Sequence, residues 1–133
     1  MFYPMFMMFS LVFIIGLYML KVRIDSVKSR EVHPKFYVLM QGQEVPKKVQ
    51  QTARSFVNQF ELPILFYVAS CLYISQGIES DIGLWSAWLF VVFRYAHAFV
   101  HVTSNNLNQR MGLFILSILF LITMLIDLLL HML

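Results

Sequence analysis

The sequence predicts an all-α integral membrane four-helix bundle. Three observations lead there. First, 59% of the 133 residues are hydrophobic and only 13% are charged, with a mean hydropathy of +0.72. A soluble domain carries about a quarter charged residues, because its surface must be wetted. Second, four nearly uncharged stretches each approach or exceed the roughly 20 residues needed to cross a bilayer. Third, most of the few ionisable residues inside those stretches gather at one depth. The composition also excludes a disordered chain. A disulfide scaffold is excluded too, because the single cysteine, Cys71, has no partner within the chain. Lying in an apolar run, Cys71 is expected to be a buried, inert thiol.

The first span covers residues 2–20 and holds no charge. It lacks the basic leader and small-residue cleavage site of a secretory signal, and Lys21 and Arg23 follow it as an anchor would have them. It is therefore expected to be retained. The loop 21–55 contains His33-Pro34, Gly42 and Pro46, which mark turns rather than one continuous helix. The second span, 56–74, carries one charge, Glu61, and Pro63 reads as a tolerated kink. The third, 82–102, carries Arg94 with His97 and His101. The fourth, 111–133, carries Asp127, with His131 near its end. None of the runs alternates as the strands of a closed barrel would, and open strands leave unpaired backbone in lipid. The whole of 1–133 is thus expected to be one four-helix domain.

Charge placement predicts orientation. Eight of the ten Lys and Arg residues lie between the first two spans: Lys21, Arg23, Lys28, Arg30, Lys35, Lys47, Lys48 and Arg54. The link between spans two and three has Glu79 and Asp81 and no basic residue, and Arg110 stands between spans three and four. Positive loops stay on the cytoplasmic side, so the 21–55 loop is expected there and both termini opposite. The net charge of +3 follows from this asymmetry at a membrane edge, and no nucleic-acid partner is expected.

Ionisable side chains inside a membrane are costly unless they face a partner or a cavity. Arg54, Asn58 and Glu61 are spaced four and then three apart, and Arg94, His97 and His101 three and then four. Each set falls on one face of a helix. All six lie in the cytoplasmic halves of their spans, where Arg23 closes the first helix and Arg110 opens the fourth. Taken singly, Glu61 with Arg54 or Arg94 reads as a structural ion pair, and the histidines as interhelical hydrogen-bonders. No metal is expected, because no acidic residue stands between His97 and His101. Taken together, the excess of cations over carboxylates at one depth predicts a pocket for a small anionic ligand. Glu61 is expected to be paired with Arg54, Arg94 or a neighbouring subunit's cation.

The segment from Arg54 through Asn58 and Glu61 to Pro63 resembles the second-helix signature of the MAPEG family, the membrane-associated proteins of eicosanoid and glutathione metabolism. Arg94, His97 and His101, followed nine residues later by Arg110, are similar to its third- and fourth-helix signature. The resemblance covers essentially the whole chain and implies a homotrimer with a glutathione site between subunits near the cytoplasmic face. It implies that Arg23, Arg54, Asn58, Glu61, Arg94, His97 and His101 hold glutathione as co-substrate, and that Arg110 stabilises its thiolate for attack on a lipophilic small molecule. Four positions differ from the prostaglandin synthase branch: His101 stands for a tyrosine, Val57 for a cation, and Met111 and Phe114 for polar or aromatic hydroxyl-bearing residues.

The expected activity is a glutathione-dependent transferase or peroxidase, in a bacterial inner membrane since no endoplasmic-reticulum retrieval signal ends the chain. The alternatives are a non-catalytic lipid- or ligand-binding module of the same fold, and a small channel lined by Glu61, Arg94, His97 and His101.

Overall fold

The computed structural model describes residues 1–133 and contains helices and turns only. The elements are α1 (Phe2–Lys28), α2 (Phe36–Leu39), α3 (Lys47–Val57), α4 (Leu62–Ser75), α5 (Asp81–Val102) and α6 (Leu107–Met132). Four helical stretches are long and apolar enough to cross a membrane, with α3 and α4 together supplying the second. The chain runs up α1, back through α3 and α4, up α5 and down α6. One end of the bundle, the loop end, therefore gathers the end of α1, all of α3 and the α5–α6 turn. The opposite, terminal end gathers Met1, the α4–α5 turn and the end of α6.

The core follows helical spacing. Met8, Leu11 and Ile15 from α1 meet Phe66, Ala69 and Tyr73 from α4, Ala87, Phe90, Val91 and Ala98 from α5, and Leu121, Met124 and Leu128 from α6. Phe66 and Phe90 stack with centroids 4.6 Å apart. The outer faces are apolar as well: Phe13, Leu17, Val68, Trp85, Leu119 and Leu129 are all exposed. A helix apolar all round suits a hydrocarbon surround. The pairing of α5 with α6 is the most extensive in the bundle.

Helix ends follow local chemistry. Ser80 caps α5, its Oγ accepting from the Gly83 amide at 3.1 Å. Asn106 caps α6, its Oδ1 accepting from the Gln109 amide at 3.1 Å. Such caps satisfy amides that have no partner within the helix.

Three expectations are corrected. The second span is not one kinked helix, because α3 ends at Val57 and α4 starts at Leu62. Proline has no amide hydrogen for the carbonyl four residues back, and its ring collides with that carbonyl. Pro63 therefore opens a new helix, where proline is favoured. The 21–55 loop keeps turns around His33-Pro34 and Gly42 as expected, but both its ends are helical: α1 runs on to Lys28 and α3 begins at Lys47, with the short α2 between them. Cys71 is exposed on the outside of α4 rather than buried, because an apolar run predicts immersion in lipid, not which face turns inward.

Candidate functional site

The break between α3 and α4 shapes the loop end. The Asn58 carbonyl loses its helical partner and accepts instead from Nη2 of Arg94 at 2.7 Å. Arg94 is 0% exposed, and its Nε and Nη1 have no partner within the chain. A buried guanidinium thus substitutes for the missing helix amide. The break also swings Glu61 off the face it would share with Arg54 on a continuous helix, to the position before α4, with φ −93° and ψ −98°.

Six of the eight residues singled out from the sequence then line one cleft of about 470 Å³: Arg23, Arg54, Asn58, Glu61, His101 and Arg110. Its apolar wall is Met19, Met40, Ala53, Phe56 and Val57. A second recess of about 380 Å³ shares Arg54, His101 and Arg110 with the first, and none of the residues around it is hydrophobic. Arg94 and His97 do not line either recess. Both are buried behind the cleft, at 0% and 4% exposure.

His97 supports α6, its Nδ1–H donating to the Arg110 carbonyl at 3.0 Å. Nη1 of Arg110 donates to Oδ1 of Asn105 at 2.8 Å. His101 is 1% exposed, lines both recesses, and has no protein partner on either ring nitrogen. Buried polar groups are almost always hydrogen-bonded, so a cluster of unpartnered donors facing a cleft points to a polar ligand or water.

The expected intrachain pairing of Glu61 is absent. The one ion pair within 4.0 Å joins His131 and Asp127 at 3.7 Å, and the Glu61 carboxylate makes no hydrogen bond within the chain, only its backbone carbonyl accepting from the Ile64 amide at 3.3 Å. It lines the cleft all the same. Neither Arg54 nor Arg94 comes within 4.0 Å of its carboxylate, and Nη2 of Arg94 is turned to the Asn58 carbonyl.

A family model described as the MAPEG family matches residues 1–130 of the chain. The chain belongs to the MAPEG family. No curated protein and no solved structure matches it. Membership and the four apolar helices make it an integral membrane protein, in a family associated with glutathione that includes transferases and peroxidases.

Several residues of this MAPEG chain that shape the site carried little signal in the sequence. Tyr37, within α2, lies against Arg23 with the guanidinium carbon 5.5 Å from its ring centre, a cation–π contact. Its hydroxyl pairs with Oγ of Ser26 at 2.8 Å. Gln51 of α3 hydrogen-bonds the His101 carbonyl and so ties α3 to the end of α5. Asn105 was visible only as one of several polar residues after the third span. An arginine needing an acceptor close to the chain turn was the one cue that could have found it.

Proposed function

We propose that this protein is a glutathione-dependent membrane transferase or peroxidase, assembled as a homotrimer in a bacterial inner membrane with the loop end cytoplasmic. The observation that carries the reading is the composition of the cleft. It sets Arg23, Arg54 and Arg110, one free carboxylate and one asparagine against an apolar wall. Glutathione has two carboxylates, one ammonium and a thiol. Arginines bind carboxylates by forked, charge-assisted hydrogen bonds, the role proposed for Arg23 and Arg54, which line the cleft. Glu61, unpaired in the chain, complements the ammonium. Asn58 and His101 supply further polar contacts. Arg94 and His97 act from behind, holding the α3 end and the start of α6.

A free thiol has a pKa of about 8.5. A guanidinium beside it favours the thiolate, the role proposed for Arg110, which stays charged near neutral pH and cannot serve as a base. The thiolate then attacks a lipophilic electrophile reaching the cleft along Met19, Phe56 and Val57, forming a carbon–sulfur bond as the electrophile's leaving group departs.

Isothermal titration of the purified protein with glutathione tests the binding step. Saturable heat is expected. Its absence from a folded, trimeric sample overturns the proposal. Saturable binding with no conjugation of any electrophile tried moves the protein to the class of non-catalytic binding modules.

A further inference from the structure

We propose that Asn105 is a positioning residue for Arg110, holding the guanidinium in the cleft by its side-chain oxygen. The inference rests on the functional reading above for its catalytic consequence, but its structural basis is independent. Asn105 has φ +52°, a left-handed conformation that asparagine tolerates better than most residues. Its amide donates to the Val100 carbonyl at 2.8 Å, which fixes the turn against the end of α5. The left-handed backbone places the side chain beneath the fourth residue of α6's first turn, and Oδ1 receives Nη1 of Arg110 at 2.8 Å.

Arg110 is therefore held twice. His97 holds its backbone through the carbonyl at 3.0 Å, and Asn105 holds its side chain. An arginine has a flexible stem whose ordering costs entropy. An uncharged acceptor fixes the stem without neutralising the cation, which a carboxylate would do. Nε of Arg110 is buried without a partner, and the residue lines both recesses. The Asn105 bond thus leaves donor capacity toward the cleft, as a preorganised donor for a developing anion requires.

The test uses the full chain in detergent, labelled with 15N-arginine, with the Arg110 Nε–H signal assigned through Arg110→Lys. Asn105→Gly keeps a residue that takes the left-handed backbone without steric cost and removes only the acceptor. The Arg110 Nε–H is expected to become disordered. With glutathione and a water-soluble electrophile, kcat is expected to fall about 10- to 100-fold, the scale of a misplaced reactive group, while KM for glutathione stays within about threefold. Asn105→Asp keeps the acceptor and adds charge. It should keep Arg110 ordered, yet raise the pH at which thiolate forms by about one unit or more, because a carboxylate beside the guanidinium offsets its field. A loss of stability alone would leave that pH unmoved. Unchanged Arg110 order in Asn105→Gly overturns the proposal, as does a kcat within twofold of the unaltered protein. If the unaltered protein neither binds nor conjugates glutathione, the enzyme reading fails, and the order of the Arg110 guanidinium alone decides the role of Asn105.

Discussion

Ionisable side chains collect at both ends of the bundle, and the two collections use their hydrogen-bonding capacity very differently. At the terminal end, Asp127 on α6 accepts from the Tyr73 hydroxyl of α4 at 2.6 Å, and that hydroxyl also reaches the Met124 carbonyl at 2.9 Å. His131 closes the group by a hydrogen bond to the Asp127 carbonyl at 2.8 Å. Gly83 of α5 packs so tightly on Tyr73 that an added Cβ would lie 2.7 Å from the hydroxyl oxygen. The cluster is hydrogen-bonded within itself, with Tyr73 and Asp127 buried and only His131 exposed at its edge. At the loop end, Arg23, Arg94, His97, His101 and Arg110 all keep buried nitrogens without partners, and the Glu61 carboxylate forms no ion pair within 4.0 Å. A membrane can tolerate buried polar groups that complete one another. Groups left incomplete around a cleft point to something that comes and goes. The terminal cluster thus reads as a clamp between helices, and the loop-end cluster as a binding site.

The largest expected effect comes from Arg110→Leu. Turnover should fall about 100-fold or more, as when a preorganised oxyanion donor is removed. Thermal stability should barely move, since Arg110 sits at the mouth of α6, is only partly buried, and its one side-chain bond, to Asn105, is exposed. Ultraviolet absorbance of bound thiolate, read on the same sample, should fall with turnover. A mutant that keeps full turnover makes Arg110 an interfacial anchor and erases the functional half of the contrast.

Next comes Arg94→Met, which keeps an apolar stem and leaves the Asn58 carbonyl without its donor. An unsatisfied buried polar group costs about 1–3 kcal/mol, so denaturation should shift by about that much. Glutathione affinity should fall along with stability, because Asn58 and Glu61 depend on the helix break that Arg94 holds. Lost affinity with undiminished stability would instead place Arg94 in direct contact with ligand.

These two arginines mark the limit of what the sequence could tell. Both stand out as charges in or beside apolar runs, and that alone sufficed to place them at one depth with Arg54, Glu61, His97 and His101. Four spans and a basic loop were legible for the same reason, since burying charge in lipid is costly and the pattern has to respect it. The division of labour was not legible. Arg94 and His101 share a face of α5, yet one supports backbone and the other lines the cleft. The cause is the break at residues 58–61, whose only trace is Pro63. Rotation of the helices was equally hidden, because spans apolar on every side have no preferred face, and Cys71 is the example. Asn105 could not be found, because its role arises from a left-handed turn rather than from any spacing.

At the terminal end, Tyr73→Phe removes the donor to Asp127 and should lower stability by about 1–2 kcal/mol, with glutathione binding and turnover unchanged. Chemical denaturation in detergent alongside titration with glutathione reads both. A fall in turnover larger than the fall in folded fraction would mean that the two ends are coupled, and the terminal cluster would then not be a clamp alone.

The smallest expected effect comes from replacing a carboxylate by its amide at each end. Glu61→Gln keeps the shape of the side chain and removes the charge proposed to meet the glutathione ammonium. Affinity should fall about 10-fold, the scale of one lost charge-assisted contact, with stability unaltered because Glu61 has no partner in the chain to lose. Asp127→Asn makes the same chemical change where the carboxylate is enclosed. The amide oxygen can still accept from the Tyr73 hydroxyl, so that bond survives. Burying a neutral amide is less costly than burying an anion, which offsets the weaker acceptor. The net change in stability should be under about 1 kcal/mol, and glutathione affinity should not change. If Asp127→Asn instead destabilises the protein as much as Tyr73→Phe, the negative charge itself holds the cluster, and His131, 3.7 Å from Oδ1 of Asp127, becomes its counter-ion. His131→Phe would then lose the same stability, and it would lose none if the hydroxyl–acceptor bond is what holds α4 to α6.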